Sequence, residues 1–436
     1  MDFRPVNRLV LILACIALPL EAATVIDLGQ VAGTKTVGSV INNRGDVAGY
    51  AYTDSTNTTY QAMVYSGLTA QITYFGSFGA YPSYSLAINS TGEVAGVATE
   101  FLTSITSVPQ AFLYPGSGSI INLGQLAIDP ITRAAFAKSM NDSGLVVGYS
   151  YDGNNQRGFL TTCSSSPCSL MTELGTLGGP SSEADFVNNA GNIAGIANVS
   201  SSQTEAFFSK DGTSLDAIVL PLGTSSSVAG INGSGQVVGS STYGQGLLKQ
   251  HAFLYTSGTT PVITDIKTLY DFDGSSTAAG INDAGVVIGQ SDVAAGQKHA
   301  FECMIVGSTC LLTDLGTLNG LAGNSTATDI NNLGYVIGTA STATGVDPFV
   351  WFAGQMFDLN SFLPADSQFA SLTTAVAIND DNIIIGQGTL KGGGSDTYIL
   401  SLNSADFPQV PEPGTLSLML VSCAIGCLVV AKRARN

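Results

Sequence analysis

Ile281-Asn282-Asp283-Ala284-Gly285-Val286-Val287-Ile288-Gly289 is one of eight copies of a single pattern. The others span Ile41–Gly49, Ile88–Gly96, Met140–Gly148, Val187–Gly195, Ile231–Gly239, Ile330–Gly338 and Ile378–Gly386. The eight Asn residues, at 42, 89, 141, 188, 232, 282, 331 and 379, lie 44 to 52 residues apart, so the body is an array with a period of about 48. An apolar residue and Asn, a short turn closed by Gly, then Val or Ile predict a β-hairpin. The Asn side chain can fold back on the turn, and the Gly supplies a positive φ. In the last copy Asn382 replaces that Gly, and Asn is the residue next most tolerant of the left-handed region. These Asn and Gly residues are therefore expected to be structural, although a row of Asn and Asp could be mistaken for calcium ligands.

Two more elements recur between the hairpins. One is a third-strand signal such as Gln110-Ala-Phe-Leu-Tyr114, His251-Ala-Phe-Leu-Tyr255 and His299-Ala-Phe301. The other is a Leu-Gly segment such as Asn122-Leu-Gly-Gln-Leu126, Glu173-Leu-Gly-Thr-Leu177 and Asp314-Leu-Gly-Thr-Leu318, read as a fourth strand. Four short strands per period predict an all-β propeller of about eight four-stranded blades. The last copy has no Leu-Gly segment after Asp396-Thr-Tyr-Ile-Leu400, while an orphan, Val25-Ile-Asp-Leu-Gly-Gln30, precedes the first hairpin. The N-terminal strand is thus expected to complete the eighth blade and remove the open edge. Seven blades plus a degenerate unit, or an open solenoid, are the alternatives. Together the three motifs resemble the HAF extracellular repeat of bacterial secreted proteins, over about residues 25–403. Only His251 and His299 keep the histidine of that repeat, which speaks for packing or hydrogen bonding at this position.

The ends carry addresses. Arg4 and Arg8, an apolar run over 9–20 and Ala22-Ala23 have the layout of a signal peptide, 1–23. After the body, 24–403, a linker over 404–414 contains Pro411-Glu412-Pro413. An apolar helix over 415–431 follows, then a basic tail over 432–436. Lys432, Arg433 and Arg435 would stay cytoplasmic, leaving the body outside the inner membrane. This C-terminus closely resembles the PEP-CTERM sorting signal of exopolysaccharide-producing Gram-negative bacteria. The resemblance implies an exosortase-like enzyme acting at Pro411, Glu412 and Pro413. The protein would be anchored transiently in the inner membrane and then move to the cell surface or matrix.

Cysteine usage fits an oxidising compartment. Cys163 and Cys168 form one close pair and Cys303 and Cys310 another, each between a third-strand signal and a Leu-Gly segment, and are read as two hairpin disulfides. Zinc is the alternative for four cysteines, but the second pair has six intervening residues and no His lies beside the first.

Chemistry is sparse. Charged residues make up 11% of the 436, and the formal charge is −17. Five of the 15 basic residues sit in the terminal segments, so 24–413 carries ten basic against thirty acidic residues, which excludes ordinary nucleic-acid binding. No nucleophile elbow, phosphate loop, zinc helix or dinucleotide fingerprint occurs. Asp271-Phe-Asp-Gly274 is a fragment of a calcium loop without its later acidic ligands. No cofactor or metal is expected. Tyr74-Phe-Gly-Ser-Phe-Gly-Ala-Tyr-Pro-Ser-Tyr84 holds five aromatics in eleven residues. Phe75 stands at a core position, and Tyr81 and Tyr84 are the candidates for stacking on sugar rings. The expected function is non-enzymatic: a binding or structural component of the exopolysaccharide layer. A polysaccharide-active enzyme would instead bring two carboxylates together at one mouth of the ring, and a protein adhesion module would show an exposed apolar patch.

Overall fold

All eight Asn turns, seven closed by Gly and one by Asn382, lie between antiparallel strands, and each hairpin founds one sheet. A computed structural model describes residues 23–403, 406 and 407, except 55, 102–106, 127–133, 154, 164–167, 222, 244–248, 271–273, 295 and 307–308, and the side chains of Ala80 and Tyr81. The expected signal peptide to residue 22, and everything from 408 with Pro411, Glu412, Pro413 and the segments expected as an apolar helix and a basic tail, lie outside the described residues; so do Asp271 and Asp273. Among the described residues, no helix is long and apolar enough to cross a membrane. Thr24–Ser401 forms one unit.

That unit is an eight-bladed propeller. Blade five is representative: Ser226–Ile231, Gln236–Tyr243, Lys249–Thr256 and Val262–Lys267 pair in sequence order, all antiparallel. First strands of successive blades lie against one another, which makes them the inner strands. Each inner strand bulges; in blade five the register slips between Val228 and Gly230. Apolar cores fill the gaps between blades. Val238, Ala252 and Leu254 of blade five, for example, pack on Val287, Phe301 and Cys303 of blade six. Several small cores thus do the work that one core of this size could not.

The ring closes as the sequence predicts. Thr24–Asp27 pairs antiparallel with Ser395–Ser401, Thr24 opposite Ser401 and Asp27 opposite Tyr398. The inner strand of this blade is split into Phe369–Leu372 and Ala377–Ile378, both paired with Ile383–Leu390. One expectation needs correction: Leu-Gly is where the fourth strand stops. The strands end at Asn122 and Glu173, and Gly124 and Gly175 take φ of +87° and +78°. The preceding Leu123 and Leu174 drop into the core. In the N-terminal copy the strand likewise ends at Asp27, which caps a short helix, Leu28–Ala32, by accepting from Gln30 N at 3.3 Å.

The Asn residues do more than close their own turns. Asn42 Oδ1 accepts from the backbone N–H groups of Arg44 (3.0 Å) and Asp46 (2.9 Å), while its Nδ2 donates to the carbonyl of Asn89 in the next blade (2.9 Å). The same reach links Asn141 to Asn188, Asn188 to Asn232, Asn232 to Asn282, Asn282 to Asn331 and Asn331 to Asn379. Asn379 returns to the carbonyl of Asn42 at 2.9 Å, across the closure. The neighbouring acids are engaged by backbone in the same belt: Asp142, Asp283 and Asp380 accept from Ser90, Gly233 and Asn332 N–H groups at 2.8 Å. They form a structural girdle. Asn382 has φ +58°, as its substitution for Gly requires.

A second device escaped the sequence reading. Six residues before Asn stands a buried Ser in five blades: 83, 182, 226, 276 and 325. Ser325 Oγ accepts from Ala300 N (2.8 Å) and donates to the Gly316 carbonyl, stapling blade seven to blade six; Ser276 staples Ala252 and Lys267 in the same way. The fixed spacing was the available signal.

Candidate functional site

The cysteines pair as expected, Cys163 with Cys168 and Cys303 with Cys310, with Cα atoms 4.5 and 5.5 Å apart. Both histidines are buried and serve the blade. His251 Nδ1 contacts the Asp265 carboxylate at 2.9 Å and His299 Nδ1 that of Asp314 at 2.8 Å. Their Nε2 atoms are buried without a hydrogen-bond partner. Each His-Asp pair thus ties the third strand of its blade to the fourth. Among the described residues, no group of three or more His, Cys, Asp or Glu is arranged to hold a metal ion.

The aromatic stretch divides between core and surface. Phe75 is buried and stacks on Tyr114 with centroids 4.4 Å apart, and Phe78 packs on the same core. The Tyr74 hydroxyl donates to the Ala32 carbonyl at 3.0 Å. Tyr81 lies on Gly79–Ile88, but its side chain is outside what the structure describes. Tyr84, on that inner strand, is half-buried and faces Tyr60 of blade one at 6.4 Å.

Tyr84 belongs to a larger ribbon that the sequence reading did not assemble. At the end of the blades opposite the Asn turns, Tyr50 packs on Tyr60 (4.6 Å) and Tyr52 (5.7 Å). In blade three, Phe136 stacks on Tyr149 at 4.7 Å, and Tyr149 meets Tyr151 edge-on at 6.2 Å. Lys138 Nζ lies 5.7 Å from the Tyr149 ring centroid and reaches into blade four, 2.6 Å from Glu183 Oε1 and 3.6 Å from Asp185 Oδ1. Gln156 Nε2 donates to the other Glu183 oxygen at 2.7 Å. Electrostatics ties the parts together: burial first, then Glu183, Tyr151, Tyr84 and other charges nearby, push Tyr149 up to about 12. Burial, then the Tyr60 hydroxyl, raises Tyr84. All seven rings are half-buried, so each offers surface while its neighbours brace it.

The ribbon is not a requirement of the repeat. Five residues before Asn, blades two to four carry Tyr84, Phe136 and Glu183, whereas blades five to eight carry Ser227, Thr277, Thr326 and Thr374. Three residues before Asn, Lys138 and Asp185 stand where blades five and six have Ala229 and Ala279. Aligning the copies by Asn would have exposed this asymmetry.

Glu183 and Asp185 lie side by side. Burial first, and then the Glu183 carboxylate, raise Asp185 to about 7 against the pull of Lys138. A carboxyl raised in the folded state holds a proton that the unfolded chain has released above its own pKa. The stability from this linkage is therefore complete below about pH 4 and lost as pH rises through 7. Asp185→Asn is expected to flatten the fall in stability between pH 4 and 7, by on the order of 2 kcal/mol, read as urea midpoints of both proteins at pH 4, 5.5 and 7. Equal slopes for the two proteins would refute the assignment.

No family model matches the sequence, and no curated protein does. Solved structures do match. The β-propeller domain of the Trilobed protease from Pyrococcus furiosus, described as having an open velcro topology, is 13% identical with a TM-score of 0.46, covering 76% of this chain and 99% of that one. One of two prolyl endopeptidases analysed for inter-domain dynamics is 12% identical with a TM-score of 0.47, over 74% of this chain and 46% of that one. TolB from Acinetobacter baumannii is 14% identical with a TM-score of 0.33, over 53% and 52%. At such identities the likeness extends to the propeller fold alone.

Proposed function

We propose that this chain is an exported, non-enzymatic propeller of the HAF-repeat kind, processed at Pro411-Glu412-Pro413 by an exosortase-like enzyme, that binds exopolysaccharide in the cell-surface layer. The ribbon of seven half-buried rings, on blades whose repeat partners manage with Ser and Thr, is the observation that carries this reading. Flat rings beside carboxylates suit a sugar, whose C–H faces stack while its hydroxyls donate. Two carboxylates at one mouth are also what a glycosidase would have, but such enzymes hold them roughly 5–9.5 Å apart across the scissile bond. Glu183 and Asp185 instead share the one Lys138 ammonium, an arrangement that pins both carboxyls to the scaffold.

In the experiment, the exported protein is titrated with the producing cell's own exopolysaccharide, with binding followed by calorimetry and polymer length by size exclusion. Saturable binding to a polymer that keeps its length is expected, weakened about tenfold or more by Tyr84→Ala or Tyr149→Ala, since aromatic stacking on a ring is worth on the order of 1–2 kcal/mol. Absence of binding, or shortening of the polymer, would overturn the proposal. The adhesion reading has one observation of its own. The hairpin formed by Gln297–Val306 and Thr309–Gly316 runs past its blade, with Met304, Val306 and Leu311 more than half exposed. If the polysaccharide fails to bind, that hairpin is the next surface to test.

A further inference from the structure

The ribbon also carries information about the charge of its ligand. Among the described residues Lys35 stands at the blade-one end, 5.6 Å from the Tyr52 ring centroid, and the cation at the other end is already spent. Lys138 Nζ sits against Glu183 Oε1 and near Asp185 Oδ1, and its stem lies along Tyr149. Glu183 Oε2 is held by Gln156, so the pair is fixed in place before any ligand arrives. With Asp185 ionised the trio is net negative. With Asp185 protonated it is neutral, and at no pH near neutrality does it offer a free positive charge. Residues 24–413 outside the trio add nine basic against twenty-eight acidic residues.

A uronate carboxylate entering beside the trio would face two fixed carboxylates whose cation is already paired. Like charges in contact cost far more in a half-buried site than at the surface. An uncharged pyranose meets no such barrier. Its hydroxyls can donate to the oxygen lone pairs that Lys138 and Gln156 leave open, and its apolar face can lie on the rings. We infer that the Lys138–Glu183–Asp185 trio makes the blade-three and blade-four end of the ribbon selective for uncharged pyranose chains and against uronate-bearing ones. The inference rests on the polysaccharide-binding proposal above and specifies the substrate class of the same site.

The test uses the full chain, purified in mild detergent, and the producing cell's exopolysaccharide in three forms. The forms are native, with any uronic carboxyls reduced to primary alcohols, and with primary alcohols oxidised to carboxylates. The reduced polymer is expected to bind at least as tightly as the native one, and the oxidised polymer at least tenfold more weakly. This preference is expected to persist in roughly 0.3 M salt, where the Debye length of about 6 Å screens the distant acids but not groups in contact. In the double variant E183Q/D185N, Lys138 is released to pair with a carboxylate, and the preference is expected to reverse towards the oxidised form.

A reduced polymer that binds tenfold more weakly than the native one would overturn the inference while leaving polysaccharide binding intact. So would a folded double variant that still rejects the oxidised form. If the double variant does not fold, the comparison of the three polymers on the wild-type chain decides alone. Failure of all three forms to bind would remove the polysaccharide proposal itself.

Discussion

Gly289→Ala is expected to cost about 3–5 kcal/mol, several times the cost of Gly285→Ala four residues earlier, although both change a glycine of the same motif. Gly285 closes the Asn turn with φ +79°, and an alanine there suffers the ordinary left-handed penalty of about 1–2 kcal/mol. Gly289 has no such conformation; its constraint is proximity. A Cβ would stand 2.0 Å from the Thr277 carbonyl oxygen and 2.8 Å from Phe301 Cε1. The oxygen belongs to the inner strand, whose register slips between Ala278 and Gly280, so the bulge pushes backbone into the space a side chain would need. The ring belongs to the third strand and is fully buried between blades five and six. Relief requires either parting the inner strand from its neighbour or lifting Phe301 out of the core, and overpacking of even a flexible core costs about 1–3 kcal/mol.

The same collision recurs in every blade. At Gly49, Gly96, Gly148, Gly195, Gly239, Gly338 and Gly386 the built Cβ falls about 2 Å from the carbonyl of residue 37, 84, 136, 183, 227, 326 or 374. Urea midpoints of the two variants, with soluble yield from a common export system, measure the contrast. A Gly289→Ala protein within about 1 kcal/mol of wild type would mean that the inner strand can slide, and that the bulge does not dictate this glycine.

This last glycine shows where the sequence stops being legible. Its recurrence was plain, as were the hairpin, the period and both disulfides, because each follows from residues near one another in the chain; the closing strand was legible because the repeat unit missing after Leu400 stands at Val25–Gln30. The cause of the second glycine was not, since it depends on a bulge in one strand and a ring on another. Leu-Gly was misread for a related reason. An apolar residue before Gly fits a strand as well as its exit, and only the positive φ of Gly124, Gly175 and Gly316 shows that the chain turns there while Leu dives inward. The candidate site was the least legible. Tyr84 was singled out for its local aromatic density, but its company comes from blades one, three and four. Lys138 meets Glu183 only because the ring sets the inner strands of neighbouring blades side by side.

Removing residues 24–33 is expected to open the ring between its first and last blades and cost at least about 5 kcal/mol, as much as many domains possess. Thr24–Asp27 covers the outer edge of Ser395–Ser401, so its loss leaves a strand edge free to pair with other chains. Leu28 is fully buried against Val47, Met63, Ile385 and Ile399 of the first and last blades, and deleting a side chain so placed costs about 2–5 kcal/mol by itself. Gly29 lies directly on the Asp396 carboxylate, which accepts from Thr36 N (3.0 Å), Thr36 Oγ1 (2.6 Å) and Thr397 N (2.8 Å). Without the Leu28–Ala32 helix, water reaches this joint and competes for those bonds. What then holds blade eight to blade one is an apolar core that has lost Leu28 and Ile26, together with polar contacts: Asp396 to Thr36, Thr397 to Thr36 and Gly38, and Asn379 to Asn42. Hydrogen bonds of this kind contribute about 1 kcal/mol each when water can replace them, too little to offset the lost core. The truncated chain is therefore expected to show a larger radius in solution scattering and concentration-dependent association. Leu28→Ala alone is expected to lower stability by about 2–4 kcal/mol without opening the ring. Adding a peptide of residues 24–33 should restore the compact radius, since it returns both the edge strand and Leu28. A truncated protein that stays compact and monomeric with an unchanged urea midpoint would show instead that the remaining core and polar joint suffice, and that the N-terminal strand only decorates a ring already shut.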